Sequence, residues 1–183
     1  MENEITDCSI TDACERVVPM WLVLLDNVPT AAMFVLGAVL AGMVWTPLAI
    51  LMTLYNLLAI VLFWSLICRH CQHLGTRACP CGYGVIAARY FKRQEGGNFR
   101  KIFRKNIAVM YPCWFVPLAA GVYLLWTRYS GRLLAIFAAF VVIAFILIPA
   151  ISRFVGCRGC NLKSQCPWMT AESAADPSGS LQQ

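Results

Sequence analysis

Charged residues are scarce in this 183-residue sequence, and they are unevenly distributed along it. Only 13% of the residues are Asp, Glu, Lys or Arg, about half of the ~25% that is usual in soluble domains. Apolar residues make up 60%, and a soluble chain of this length cannot bury so large a share of apolar surface. The lack of charge therefore argues against a soluble globular domain and favours a protein of the lipid bilayer.

Histidine is nearly absent, and the common catalytic motifs are missing. The two histidines, His70 and His73, lie outside the apolar runs, which excludes a haem held by two histidines inside the bilayer. No apolar run contains Lys, Arg, Glu or His, so an ion-coupled pump or transporter is not expected. Since G-x-S-x-G, H-E-x-x-H and P-loop motifs are also missing, we do not expect an enzyme that acts on its own.

Four apolar runs approach or reach the length that a membrane-spanning helix needs. They are residues 30–45, 48–67, 107–126 and 133–151. The first run would be ~24 Å long as a helix, less than a ~30 Å hydrocarbon core, so it is expected to extend back through Pro29. Asp26 and Asn27, which precede it, are interpreted as a helix-start feature. The sequence predicts an all-α integral membrane protein with four transmembrane helices in two helical hairpins.

The polar segments around these runs define the predicted organisation of the chain. In order they are an acidic N-terminal segment (1–16), an interfacial segment with the first two spans (17–67), a basic cysteine-rich loop (68–106), the third and fourth spans (107–154), a second cysteine cluster (155–170) and a disordered tail (171–183).

Lys and Arg are concentrated in the loop between the second and third spans. From Arg69 to Lys105 there are nine basic residues and one acid, Glu95. The positive-inside rule places this loop and both termini in the cytoplasm. Because the basic block lies between two apolar runs, we expect anionic lipid headgroups to bind between Arg89 and Lys105, and we do not expect nucleic acid. The pieces 85–93 and 99–105 are predicted to lie in the headgroup layer.

Nine of the ten cysteines fall on this same predicted face. Residues 68–81 have the spacing C-x2-C-x7-C-x-C, and residues 157–166 have C-x2-C-x5-C. Clustered cysteines in a reducing compartment indicate metal or redox chemistry more than structural disulfides. The candidate metal ligands are Cys68, Cys71, Cys79, Cys81, Cys157, Cys160 and Cys166. The tenth cysteine, Cys113, lies in a span and is expected to pack as a small hydrophobic residue.

Two ligand arrangements are compatible with these spacings. In the first, which we favour, the four cysteines of the loop form one local site, and Cys8, Cys14, His70 or His73 supplies a fourth ligand to the second cluster. In the second, the two C-x2-C pairs share one ion across the bundle. Thiolates bind both Zn²⁺ and iron–sulfur clusters, and neither spacing matches a common ferredoxin or zinc-ribbon pattern. The spacing therefore does not decide which of the two is bound.

Three functional hypotheses follow from these observations. The first is a membrane-anchored docking or electron-transfer subunit that carries a cysteine-ligated metal centre and binds a protein partner at its cytoplasmic face. The second is a thiol–disulfide oxidoreductase that uses the C-x2-C pairs. The third is a metal-free protein whose basic loop binds anionic lipid or serves as a scaffold.

Overall fold

The computed structural model describes residues 18–79, 81–94 and 99–156 of the chain. Every regular element within these ranges is a helix. Within the same ranges, four helical stretches are long and apolar enough to cross a membrane. They are Met20–Val44, Thr46–His70, Phe99–Thr127 and Gly131–Phe154. The predicted all-α class and the predicted number of membrane-length helices are therefore confirmed for this part of the chain.

The first two spans are simple α-helices. Helix α1 is Met20–Val44 and helix α2 is Thr46–Leu66, and the extended residue Trp45 separates them. Proline lacks a backbone N–H, so Pro47 is tolerated in the first turn of α2, where that group would have no helical partner. A short helix α3, Tyr83–Tyr90, follows in the loop after α2.

The third and fourth spans each contain several helical segments. The third consists of α4 (Phe99–Asn106), a 3₁₀ segment (Ile107–Met110) and α5 (Tyr111–Thr127). The fourth consists of α6 (Gly131–Val141), a π-helical segment (Val142–Leu147), α7 (Ile148–Ile151) and a second π-helical segment (Ser152–Gly156).

Helix α1 begins earlier than the hydrophobic run alone suggested. Its N-cap is Pro19, and Pro29 lies inside the helix. Asp26 and Asn27 are therefore interior residues in the second turn, and their interpretation as a helix-start feature is wrong. The extension itself is confirmed, since 25 residues give a helix of ~37 Å, enough to cross the hydrocarbon core.

The packed core lies between α1, α5 and the fourth span. Its buried residues are Met33, Leu40, Leu124, Leu133, Phe140 and Ala144. Small residues allow the helices to approach closely: a Cβ on Gly37 would be 2.8 Å from Pro117 Cγ, and one on Gly121 would overlap the ring of Phe137. Large apolar side chains such as Trp21 and Leu51 are more than 60% exposed, as expected for a surface that faces lipid.

Candidate thiol centre

The loop after α2 returns to pack against the beginning of α1. A turn of 3₁₀ helix, Cys68–His70, ends the second span, and the chain then folds back toward α3. The backbone N–H of Val18 donates to the carbonyl of Arg77 at 3.0 Å, which ties this loop to the residues just before α1. We call the end of the bundle that carries this loop the cysteine end.

Two glycines make this close packing possible. Gly82 has φ 71°, a left-handed conformation that favours glycine, and a Cβ there would be 2.7 Å from Val23 Cγ1 of α1. A Cβ on Gly84 would lie 2.5 Å from the His73 carbonyl oxygen and 3.1 Å from Cys79 Cβ. The turn between Cys79 and α3 is therefore pressed against both the preceding loop and the first span.

Cys79 and Cys81 form a hydrogen-bonded pair of thiols in this turn. The Cys81 thiol donates to Cys79 Sγ, and the backbone N–H groups of Gly84, Cys81 and Gly82 also donate to that sulfur. The bond from Cys81, followed by these N–H groups, holds the pKa of Cys79 below its ordinary value, although burial opposes the effect. The same bond to Cys79, together with burial and the charge of Asp26, raises the pKa of Cys81.

The other two loop cysteines connect to this pair through Cys68. Cys68 is 8% exposed, and it is close enough to both Cys71 and Cys79 for their charges to interact. Tyr83 is also part of the group: burial raises the pKa of its hydroxyl, and the charges of Cys81, Asp26, Cys68 and Cys79 raise it further. Electrostatic interactions thus link Cys71 to Cys68, Cys68 to Cys79, and Cys79 to Cys81.

Helix α1 contributes two polar residues to this group. The charge of Asp26 contributes to the raised pKa of Cys81, and Asn27 Nδ2 donates to the Cys81 carbonyl at 3.0 Å. Sequence reasoning missed both as site residues. The signal that pointed to Asp26 was its position beside an apolar run, since ionisable groups within membrane helices are uncommon and functional by default.

The predicted metal ligands are brought together only in part. Within residues 18–79, 81–94 and 99–156, no three side chains of His, Cys, Asp or Glu are arranged to hold a metal ion. The remaining candidates, Cys157, Cys160 and Cys166, lie outside the described residues, as do Cys8 and Cys14. A metal site in the loop therefore stays a prediction, and neither proposed ligand arrangement is tested.

The histidines and the remaining cysteine differ in their surroundings. Both histidines are at the cysteine end. His70 Nδ1 is buried and has no hydrogen-bond partner among the residues that the structure describes, and burial lowers the pKa of His73. Cys113 lies in α5 and is 1% exposed. It is buried in the bundle, as predicted for a cysteine that packs as a small hydrophobic residue.

Helix α4 brings the predicted lipid-binding residues into an amphipathic arrangement. Phe99 and Phe103 are in ring contact at 6.0 Å and are half-buried. The exposed positions of the helix are basic: Arg100, Lys101, Arg104 and Lys105. Segment 99–105 is helically continuous with the third span, and its location in the headgroup layer stays a prediction.

Comparison of the chain with protein-family models, with curated proteins and with solved structures gives no match.

Proposed function

We propose that this is a multi-pass membrane protein whose cysteine loop carries a metal centre, and that it serves as a membrane-anchored docking or electron-transfer subunit. The metal is Zn²⁺ or an iron–sulfur cluster held by Cys68, Cys71, Cys79 and Cys81. The observation that carries the proposal is the coupling of these four thiols in one group at one end of the bundle.

The donor set suits a thiophilic metal. Metals bind the thiolate rather than the thiol, and the backbone N–H groups around Cys79 favour the thiolate. Cys79 and Cys81 are already in contact, Cys68 interacts with both Cys79 and Cys71, and Cys71 is half-buried. On this proposal the metal draws Cys68 and Cys71 onto the Cys79–Cys81 pair, which completes a set of four sulfurs.

Metal analysis of the full chain tests this proposal directly. The protein is purified anaerobically in detergent and examined by elemental analysis and absorption spectroscopy. Iron with acid-labile sulfide and visible colour supports an electron-transfer subunit, and zinc without colour supports a docking role. Cys79→Ala should lose the metal, whereas the matched variant Cys113→Ala should keep it. Metal-free wild-type protein with fully titratable thiols would refute the metal centre.

We also propose a membrane topology for the protein. The four spans form two helical hairpins, and the cysteine end and both termini are in the cytoplasm. The support is the charge asymmetry of the two ends of the bundle. At the end opposite the cysteine loop, the described basic residues are Arg128, in the loop between α5 and α6, and Arg132, in the first turn of α6. Tyr129 in that loop is 73% exposed, so Tyr129→Cys provides a labelling site in a background without reactive loop thiols. If a membrane-impermeant maleimide labels this cysteine from outside the cell, the proposed orientation is supported. If the cysteine is labelled only from the cytoplasm, the protein has the opposite orientation.

Anionic lipid headgroups are the proposed partner of the basic face. The basic positions of α4 are exposed while its phenylalanines are half-buried, which suits a helix at the headgroup level. Replacing Arg100 and Lys101 by glutamine should reduce the anionic lipid retained by the purified protein in native mass spectrometry. Replacing Arg128 and Arg132, at the other end of the bundle, is the matched control and should leave retention unchanged.

A second candidate function, thiol–disulfide exchange, is favoured by the direct contact between Cys79 and Cys81. The Cys79 thiolate would attack a partner's disulfide, forming a mixed disulfide and releasing one partner thiolate. Cys81 would then attack Cys79 Sγ, forming the Cys79–Cys81 disulfide and releasing the second partner thiol, so two electrons pass to the partner. Cys81→Ala should trap the mixed disulfide, because the thiol that resolves it is missing. If that variant traps no partner and the wild-type loop binds metal, this candidate function is ruled out.

A further inference from the structure

The third span is longer than a bilayer core requires, and the excess is α4. The helical stretch Phe99–Thr127 has 29 residues, which is about 44 Å of helix against a hydrocarbon core of ~30 Å. At the end of the bundle opposite the cysteine end, Trp126 is 90% exposed and Trp45 is 66% exposed, as expected for side chains at the membrane–water interface. Counted from there, a ~30 Å core takes about 20 residues and ends near Ile107. All of α4 would then lie beyond the hydrocarbon core.

The charged residues of the other spans support the same level. Each span continues for about 20 positions without a charged residue, as a hydrocarbon core requires, and then reaches its first one at the cysteine end. These residues are Asp26, Arg69, Lys105 and Arg153. Ser152 Oγ donates to Asp26 Oδ1 at 3.5 Å, so the polar positions of the first and fourth spans are also at one level in the bundle.

Helix α4 carries four basic residues in two pairs. The outer pair is Arg100 and Lys101, and the inner pair, one turn nearer the third span, is Arg104 and Lys105. Residues four positions apart share a helix face, and all four of these positions are exposed. The two pairs are separated by about 6 Å along the axis. The other face of α4 is half-buried and the helix contacts α2, so α4 stays beside the bundle.

The two pairs would therefore face different depths of the headgroup layer. Counted from Ile107, the inner pair is about 4 Å beyond the hydrocarbon boundary and the outer pair about 10 Å. The headgroup layer on each side of a bilayer is only about 5–8 Å thick. Side chains on a helix also tilt toward its N-terminus, which in α4 points away from the bilayer. The inner pair is thus placed for lipid phosphodiesters, whereas the outer pair is too far out for them.

We infer that the basic face of α4 binds a lipid whose headgroup carries a second phosphate, a phosphomonoester on a polyol, farther from the bilayer than its phosphodiester. The inner pair binds the phosphodiester and the outer pair binds the phosphomonoester. Arginine forms paired hydrogen bonds to phosphate oxygens and lysine adds a compact charge, so each pair suits one phosphate. This inference rests on the proposed lipid partner, and it specifies which class of anionic headgroup that partner has.

The experiment measures lipid binding to the full chain in detergent by native mass spectrometry. Phosphatidylinositol has one phosphodiester, phosphatidylinositol 4-phosphate adds the outer phosphomonoester, and cardiolipin has two phosphodiesters at one depth. Glutamine forms helix about as well as arginine and lysine, so exposed replacements should leave α4 folded. The variants are Arg100→Gln with Lys101→Gln for the outer pair, Arg104→Gln with Lys105→Gln for the inner pair, and Arg128→Gln with Arg132→Gln as the matched control.

Wild-type protein should bind phosphatidylinositol 4-phosphate more tightly than either other lipid. A basic residue near an anionic surface contributes ~1 kcal/mol, which is about 5-fold in affinity, so loss of a pair should cost about 30-fold. The outer-pair variant should lose about that factor for phosphatidylinositol 4-phosphate and only a few-fold for phosphatidylinositol. The inner-pair variant should weaken both lipids by a similar factor and keep the preference. The control variant should match the wild type.

Two results would overturn the inference and leave anionic lipid as the partner. One is equal binding of cardiolipin and phosphatidylinositol 4-phosphate by the wild type, and the other is an equal loss of both inositol lipids in the outer-pair variant. If no anionic lipid is retained better than phosphatidylcholine, the proposed lipid partner itself is refuted. Inositol 1,4-bisphosphate, the water-soluble headgroup, should bind far more weakly than the lipid. Equal binding would identify a soluble phosphate as the ligand and overturn the assignment to a lipid.

Discussion

Gly84→Ala tests the architecture of the thiol centre with a single methyl group. The added Cβ would lie 2.5 Å from the His73 carbonyl oxygen and 3.1 Å from Cys79 Cβ, whereas ordinary contact begins near 3.4 Å. The nearer obstacle is backbone rather than a flexible side chain, so the turn must move away by roughly 0.9 Å, the difference between 3.4 and 2.5 Å. Overpacking of this kind usually costs about 1–3 kcal/mol.

This displacement should also change the chemistry of Cys79. The Gly84 N–H is one of the groups that lower the pKa of Cys79, and the movement would weaken its bond to the sulfur. Because a hydrogen bond to a charged group contributes ~1.5–3 kcal/mol and one pKa unit corresponds to ~1.36 kcal/mol, partial loss should raise the pKa of Cys79 by about 1. The expected change is upward because the pKa of Cys79 is lowered in the wild type. Wild-type Cys79 is therefore still a thiolate at pH values at which an ordinary cysteine is already protonated.

The assay is the pH dependence of Cys79 alkylation by iodoacetamide, measured by mass spectrometry on metal-free protein. In the wild type, the pH of half-maximal rate should lie below ~8.5, the value for an unperturbed cysteine. In Gly84→Ala it should move upward, toward that value. Gly131→Ala is the matched control, because a Cβ there meets nothing within 4 Å. Coincident alkylation profiles for wild type and Gly84→Ala would refute the assignment of the Gly84 N–H to Cys79.

Three further substitutions test the bundle that supports this centre. Gly121→Ala should destabilise the protein by about 1–3 kcal/mol, because its Cβ would overlap the ring of Phe137 in the neighbouring helix. Tyr55→Phe should cost about 0.5–1.5 kcal/mol, because it removes the bond from the Tyr55 hydroxyl to the Val109 carbonyl at 2.7 Å. Cys113→Ala should lower stability by about 1 kcal/mol through a small cavity and leave Cys79 alkylation unchanged.

The stabilities in that series are measured by reversible unfolding in mixed detergent micelles. The Gly131→Ala protein again serves as the control for adding a methyl group. If Gly121→Ala unfolded at the same denaturant concentration as this control, the close approach of α5 and α6 would be wrong. If Cys113→Ala altered the alkylation profile, Cys113 would have to act on the thiol centre.

The membrane spans could be predicted because the information they need is local. A run of apolar residues about 20 long has to be helical and shielded from water wherever it lies, so composition and length are sufficient. The presence of Cys68, Cys71, Cys79 and Cys81 in one loop could be predicted for a similar reason, since they lie within 14 consecutive residues after a span. The start of α1 was harder to predict, because Pro19, Asp26 and Pro29 interrupt the hydrophobic pattern that defines a boundary.

The sequence by itself therefore determined the helical class, the number of membrane-length helices and the thiol content of one loop. Only the tertiary structure decided that Asp26 and Asn27 belong to the thiol centre. Asn27 and Cys81 are 54 positions apart, and their contact depends on how the loop folds back onto α1. Spacing along the chain carries no information about such a contact, because it arises from the packing of the Gly82 turn against Val23 and from hydrogen bonds that form only once that packing exists.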